Sequence, residues 1–123
     1  MYYRLRLRDG SDDPYSSGIL IGLDQKRSTL ARDQVQIEVT EHWRSPGGVE
    51  YPAKWRLSAP TAGLDLLITP LIPNQELALT VGYWEGAVQL RGTIAGRSVG
   101  GNGYVELTGY AHQRGSQAHA RGQ

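Results

Sequence analysis

Apolar and polar residues alternate along most of this chain. Tyr3, Leu5 and Leu7 interleave with Arg4, Arg6 and Arg8, the period-two pattern of a half-buried strand, and Asp9-Gly10 stops it. After the turn-rich Ser11-Asp12-Asp13-Pro14, a short apolar run over residues 17–22 predicts a second strand, ended by Leu23-Asp24-Gln25-Lys26. Val35, Ile37 and Val39 then alternate with Gln34, Gln36, Glu38 and Thr40. Strict alternation with β-branched residues argues for a strand rather than a helix over 32–43. It runs on through Glu41-His42-Trp43 to a Ser45-Pro46-Gly47-Gly48 turn. The next strand, over 51–58, sets Tyr51, Ala53, Trp55 and Leu57 on one side, and Pro60 and Gly63 break it. Residues 64–69 are apolar up to Pro70, Leu71-Ile72-Pro73-Asn74 makes a corner, and 76–81 leads into Tyr83-Trp84-Glu85-Gly86.

The last third is a long β-hairpin. A polar turn, Ala95-Gly96-Arg97-Ser98, separates the Tyr83-Trp84-Glu85-Gly86 arm from Gly100-Gly101-Asn102-Gly103-Tyr104-Val105-Glu106-Leu107-Thr108-Gly109-Tyr110, a hairpin signature. Side chains alternate across a strand. Trp84, Val88, Leu90, Val105 and Leu107 therefore share one face, and Tyr83, Glu85, Gln89, Tyr104, Glu106, Thr108 and Tyr110 share the other. A two-residue turn at Gly96-Arg97 would set Trp84 opposite Gly109, and a slip by an even number of residues would keep these faces. Gly100-Gly101-Asn102-Gly103 precedes no helix, so it is read as a bulge or bend, not a phosphate loop.

Nine or ten short antiparallel strands in unbroken series, with no convincing helix, leave exposed edges unless the sheet closes. An antiparallel, calycin-like (lipocalin-like) β-barrel over residues 1–111 is the expected fold, with room for one small ligand; a two-sheet sandwich is the alternative. Residues 112–123 are polar and small, which predicts a flexible tail.

Composition narrows the function classes. A chain of 123 residues makes one domain, and without cysteine it has no disulfide. Thirteen Lys and Arg against twelve Asp and Glu give a net charge of +1, which is no nucleic-acid footprint. No apolar stretch approaches a membrane span of about 18 residues, and the first residues lack the apolar core of a signal peptide. The compartment stays open. No histidine constellation suggests a metal, and no cofactor is expected.

Candidate chemistry is concentrated on few residues. Glu85 and Glu106, neighbours on one face, could share a proton and act as acid and base. The alternative is that they pair with Arg91 or the Arg4, Arg6, Arg8 row, or face water. His42 could donate a proton to an olefin, or be a solvated strand-end histidine. Trp43, Trp55, Trp84, Tyr83, Tyr104 and Tyr110 could line an apolar pocket, or serve as core and interface.

Tyr2-Tyr3-Arg4-Leu5-Arg6, His42-Trp43, Tyr51-Pro52, Trp55, Pro70, Gln75-Glu76, Tyr83-Trp84-Glu85-Gly86 and the 103–110 segment resemble, in order, landmarks of the AttH/CrtC lipocalin-like family. The resemblance covers residues 2–111. It implies a lipocalin-like barrel and apolar, polyene or isoprenoid-like ligands, as for carotenoid hydratases. Members usually hold two barrels, and this chain resembles the second. The first carries a Asp-His-Glu-Trp-Gly-like motif near the hydratases' acid–base residues; here Glu41-His42-Trp43 is a faint echo, differently placed. The resemblance therefore implies a binding domain whose partner barrel comes from a homodimer or a separately encoded half. The competing implication is a domain of an enzyme that hydrates or cyclises an isoprenoid-like substrate.

Overall fold

The computed structural model describes residues 1–77, 79 and 82–110; the expected flexible tail at 112–123 lies outside them. The fold is all-β and antiparallel, with two short 3-10 turns. The strands are β1 (Tyr2–Tyr3), β2 (Ser17–Ile21), β3 (Arg27–Ala31), β4 (Gln36–Arg44), β5 (Glu50–Ala59), β6 (Leu64–Pro70), β7 (Glu76–Leu77), β8 (Tyr83–Ile94) and β9 (Arg97–Thr108). Strands β1, β2 and β3 form a small sheet in that order. The large sheet runs β4-β5-β6-β8, with β7 beside β6 on one edge of β8 and β9 on the other.

The large sheet is strongly curled. Flat, it would hold β5 and β9 three strand spacings apart, about 14 Å. Instead side chains from β4 (Ile37, Val39, Trp43) and from β9 (Val105, Leu107) converge on one buried cluster, and the Tyr110 ring, just past β9, lies 5.7 Å from that of Tyr51 on β5. The concave face is packed with Tyr51, Trp55, Trp84 and Val88, joined by Ile37, Val39 and Trp43 from β4, Ile68 from β6, and Val105 and Leu107 from β9. A second cluster, Leu30, Val35, Ala59 and Leu64, takes Tyr2 and Leu20 against it and so seats the small sheet across one end. The expected alternation in β5, β8 and the 99–107 part of β9 is therefore what builds the core. Among the described residues, β4 and β9 remain edge strands.

Several local expectations are corrected. The first strand stops at Tyr3, because the next residues turn back: the Leu7 N–H donates to Ser11 O and the Asp13 N–H to Leu5 O. Leu5 and Leu7 are each 44% exposed, and Ser16, buried, pins this loop by bonding both backbone groups of Leu5. Strand β3, too mixed in pattern to stand out, pairs along all five residues with β2. Strand β7 folds back beside β8, Glu76 opposite Trp84, and so does not run on into it. The hairpin turn is Ala95-Gly96, both at positive φ, as a type I′ turn requires. Trp84 thus faces Leu107, not Gly109. That is a slip of two, so the two faces survive. Tyr110 does change sides, because Gly109 at φ +81° swings it into the aromatic core.

Candidate functional site

The motif residues Gln75-Glu76 and Tyr83-Trp84-Glu85-Gly86 meet where the 71–77 corner closes onto β8. Strand β6 leaves β8 at Val88 and β7 joins it at Trp84. Between them the Leu71 N–H donates to Ala87 O and the Glu85 N–H to Gln75 O, which still leaves the Ala87 N–H without a backbone acceptor. The Gln75 side chain fills the gap like a peptide group. Its amide nitrogen donates to Ala87 O at 3.2 Å, and its oxygen accepts the Ala87 N–H at 2.9 Å. Gly86 makes room for it, since a Cβ there would sit 2.1 Å from the Gln75 amide carbon. Trp84, 1% exposed, donates its indole N–H to Pro73 O at 2.9 Å. Tyr51, fully buried, donates its hydroxyl to Glu76 at 2.8 Å.

Glu76 is the residue that sequence reasoning missed. It faces Trp84 across the ladder, so its carboxylate is on the concave side among the rings. The available signal was the shared position of Gln75-Glu76 and Tyr51-Pro52 in the landmark pattern. The pair is poorly suited to releasing a proton. Burial, then the hydrogen bond to Glu76, pushes the Tyr51 phenol up to about 12. A raised phenol pKa means that folding favours the protonated form, so this contribution is complete below the ordinary value of 10 and is lost as pH climbs toward 12. Urea unfolding at rising pH is expected to show wild-type stability falling through that window. Tyr51→Phe, weaker at neutral pH by about 1 kcal/mol for the lost bond, should fall less steeply; equal slopes would contradict the assignment.

Glu85 and Glu106 are direct partners on the opposite, convex face. The two-residue turn makes Ile94 and Arg97 a hydrogen-bonded pair, so Glu85 and Glu106 fall in the alternate, closer kind of pair, with Cα atoms about 4.5 Å apart. Tyr83 and Tyr104 flank them. Desolvation first, then the hydrogen bond to Glu85 and the charge of Glu106, holds the Tyr83 phenol up to about 12, and Tyr104 is raised by desolvation and by Glu85. Tyr104 is 61% exposed. The arginine row is elsewhere: Arg4 binds Asp12 at 2.6 Å, and Arg6 lies 4.3 Å over the Tyr110 ring. Arg91 sits six residues along β8 from Glu85, about 20 Å away, so it does not pair with either glutamate of its own chain. His42 is exposed on β4, opposite Pro52.

The six aromatic candidates do not form one set. Trp55 and Trp84 pack together at 6.3 Å, Trp43 stacks on Tyr51 at 6.3 Å, and Tyr110 leans on Tyr51. Trp43, Trp55, Trp84 and Tyr110 are thus concave; Tyr83 and Tyr104 are convex. Two open surface hollows lie apart from all six. One, of about 530 Å³, is lined by Met1, Ile19, Leu20, Ile21 and Arg27, and the other, of about 290 Å³, by Gln36, Glu38, Arg56 and Ser58. Among the described residues no group of three His, Cys, Asp or Glu side chains is placed to hold a metal. No helix there is long and apolar enough to cross a membrane.

An all-β, antiparallel sheet structure with an aromatic interior and these landmarks is consistent with a lipocalin-like fold. The AttH-like family profile matches residues 1–110, and the chain belongs to that family. A protein of Nitrosomonas europaea described as an AttH superposes with a TM-score of 0.73 at 32% identity, covering 87% of this chain and 33% of the other. Kievitone hydratase of Nectria haematococca gives 0.70 at 19% identity with the same coverage, a likeness of fold. The chain thus spans about a third of the length of these relatives. No curated protein matches it.

Proposed function

We propose that this chain is a lipocalin-like module that works by associating with a second barrel, with any polyene or isoprenoid-like ligand held at the seam between them. One observation carries the reading: the polar groups that reach the concave apolar face are already engaged. The Tyr51 hydroxyl is bonded to Glu76 and the Trp84 indole to Pro73, and no buried side-chain N or O among the described residues lacks a partner. The rings that would line a pocket fill it instead. Closure into a full barrel belongs to the same proposal, completed at the open strand edges by the partner rather than by β4 and β9 pairing with each other.

Titration of the full chain with a fluorescent polyene fatty acid tests it. Saturable one-to-one binding by the chain diluted until it is monomeric, with quenching of tryptophan emission, would overturn it; the expected result is no saturable binding by the monomer. A second reading draws on the close Glu85–Glu106 pair. In a complete assembly those carboxylates, or His42, would move protons during hydration or cyclisation of an isoprenoid-like substrate. Glu85→Gln, Glu106→Gln and His42→Ala would then each abolish turnover by that assembly.

A further inference from the structure

Strand β9 contains two glycines for which the described residues give no reason. Gly100 and Gly101 have no positive φ, and among the described residues a Cβ would meet nothing within 4 Å at Gly101 and only Leu90 O, at 3.8 Å, at Gly100. Glycine weakens a strand interior and often marks a close approach by another backbone. By contrast, Gly103 is explained internally, since a Cβ there would press on Leu90 Cδ1 at 2.9 Å. Among the described residues, the free side of β9 is also the unprotected edge of the sheet. The other edge, β4, is broken by register shifts around Glu41, the bulge that blunts an edge. The β8–β9 ladder instead runs through twelve pairs without a shift, and β9 has no proline and no lysine. From the alternation fixed by the turn, Ser98, Gly100, Asn102, Tyr104 and Glu106 aim their backbone groups outward. Among the described residues none of those groups has a partner.

Resting on the partner-binding reading, we infer that the partner is a second copy of this chain, joined antiparallel through β9 about a two-fold axis at Gly103. Self-complementarity supports this register. Hydrogen-bonded pairs across the edge must join outward-aimed residues, and the axis at Gly103 pairs Gly100 of one copy with position 106 of the other. On the convex face Arg91, Gly100 and the second copy's glutamate then lie in one row. Arg91 is opposite Gly100 on β8, and the missing side chain leaves a lane about 10 Å wide, two strand spacings, for the guanidinium to reach the carboxylate. On the concave face Val99 meets position 107, a leucine, and Gly101 meets position 105, a valine. The two-fold forms each contact twice. Both glycines acquire a function, and Arg91 and Glu106, too far apart within one chain, acquire a partner.

Sedimentation velocity of the full chain tests this by charge exchange. Arg91→Glu or Glu106→Arg should each weaken the dimer about tenfold, because two surface pairs turn repulsive, and the double exchange should restore it. The cysteine-free background allows a second measurement: Gly101→Cys with Val105→Cys should form an interchain disulfide on air oxidation. A dimer indifferent to both charge changes and not cross-linked would overturn this interface while leaving association through another face intact. A monomer at all concentrations that binds a longer AttH-like protein would overturn self-association alone. A monomer that binds nothing would overturn both this inference and the partner-binding reading.

Discussion

Trp84→Ala is expected to cost about 3–5 kcal/mol of folding stability, the range for removing a large buried ring. For a domain whose total stability is on the order of 5–15 kcal/mol, that leaves little or nothing. The size follows from position. Trp84 is 1% exposed, packs on Trp55, and is in the same buried cluster as Tyr51 and Val88. Its indole N–H is also a tether for the 71–77 corner through Pro73 O. Trp84→Phe separates the two contributions: it keeps a ring but removes the donor, and should lose about 1–3 kcal/mol. Denaturant unfolding followed by far-ultraviolet circular dichroism measures both. A loss under about 1 kcal/mol for Trp84→Ala would place this residue outside the core.

Gly92→Ala is expected to be nearly as damaging, at about 3 kcal/mol or more, for a different reason. A Cβ at Gly92 would lie 2.0 Å from Asp65 O and 2.9 Å from Leu66 Cα. Those are backbone atoms of β6 at the point where it pairs with β8, so no side chain can step aside and the ladder itself has to part. Gly86 is a useful contrast, because the atoms a Cβ would strike there belong to the end of the flexible Gln75 side chain. Gly101→Ala, with open space around it among the described residues, should instead raise monomer stability, by about 0.5–1 kcal/mol. If the Gly92 and Gly101 variants unfold at the same denaturant concentration, the pairing of β6 with β8 is not as described.

Much of the core was legible because its signal is local. Alternation alone assigned Trp84, Val88, Leu90, Val105 and Leu107 to one face, and a turn misplaced by two residues could not disturb that assignment. Where a pattern competes with tertiary contacts, it misled. Tyr3, Leu5 and Leu7 alternate well, yet the chain folds back at Ser11 and Asp13 and keeps them half-exposed. Tyr110 changed face through a single glycine. The site was less legible than the fold. Glu85 and Glu106 were placed on one face, but their direct pairing came only with the two-residue shift in register, and nothing local shows that Glu76 turns toward Tyr51, or that Gln75 stands in for a missing strand. Both depend on how the 71–77 corner closes onto residues ten or more positions away. The aromatic residues were conspicuous as a group, but only three-dimensional packing divides them between the two faces.

Nuclear Overhauser contacts in solution test most directly whether the oily rings and the paired glutamates stand on opposite sides of the sheet. Contacts between the Trp84 indole and Trp55, together with Glu85 and Glu106 methylene contacts to Tyr83 and Tyr104, are the expected result. Contacts from either glutamate to the Trp55 ring or the Val88 methyl groups would contradict it.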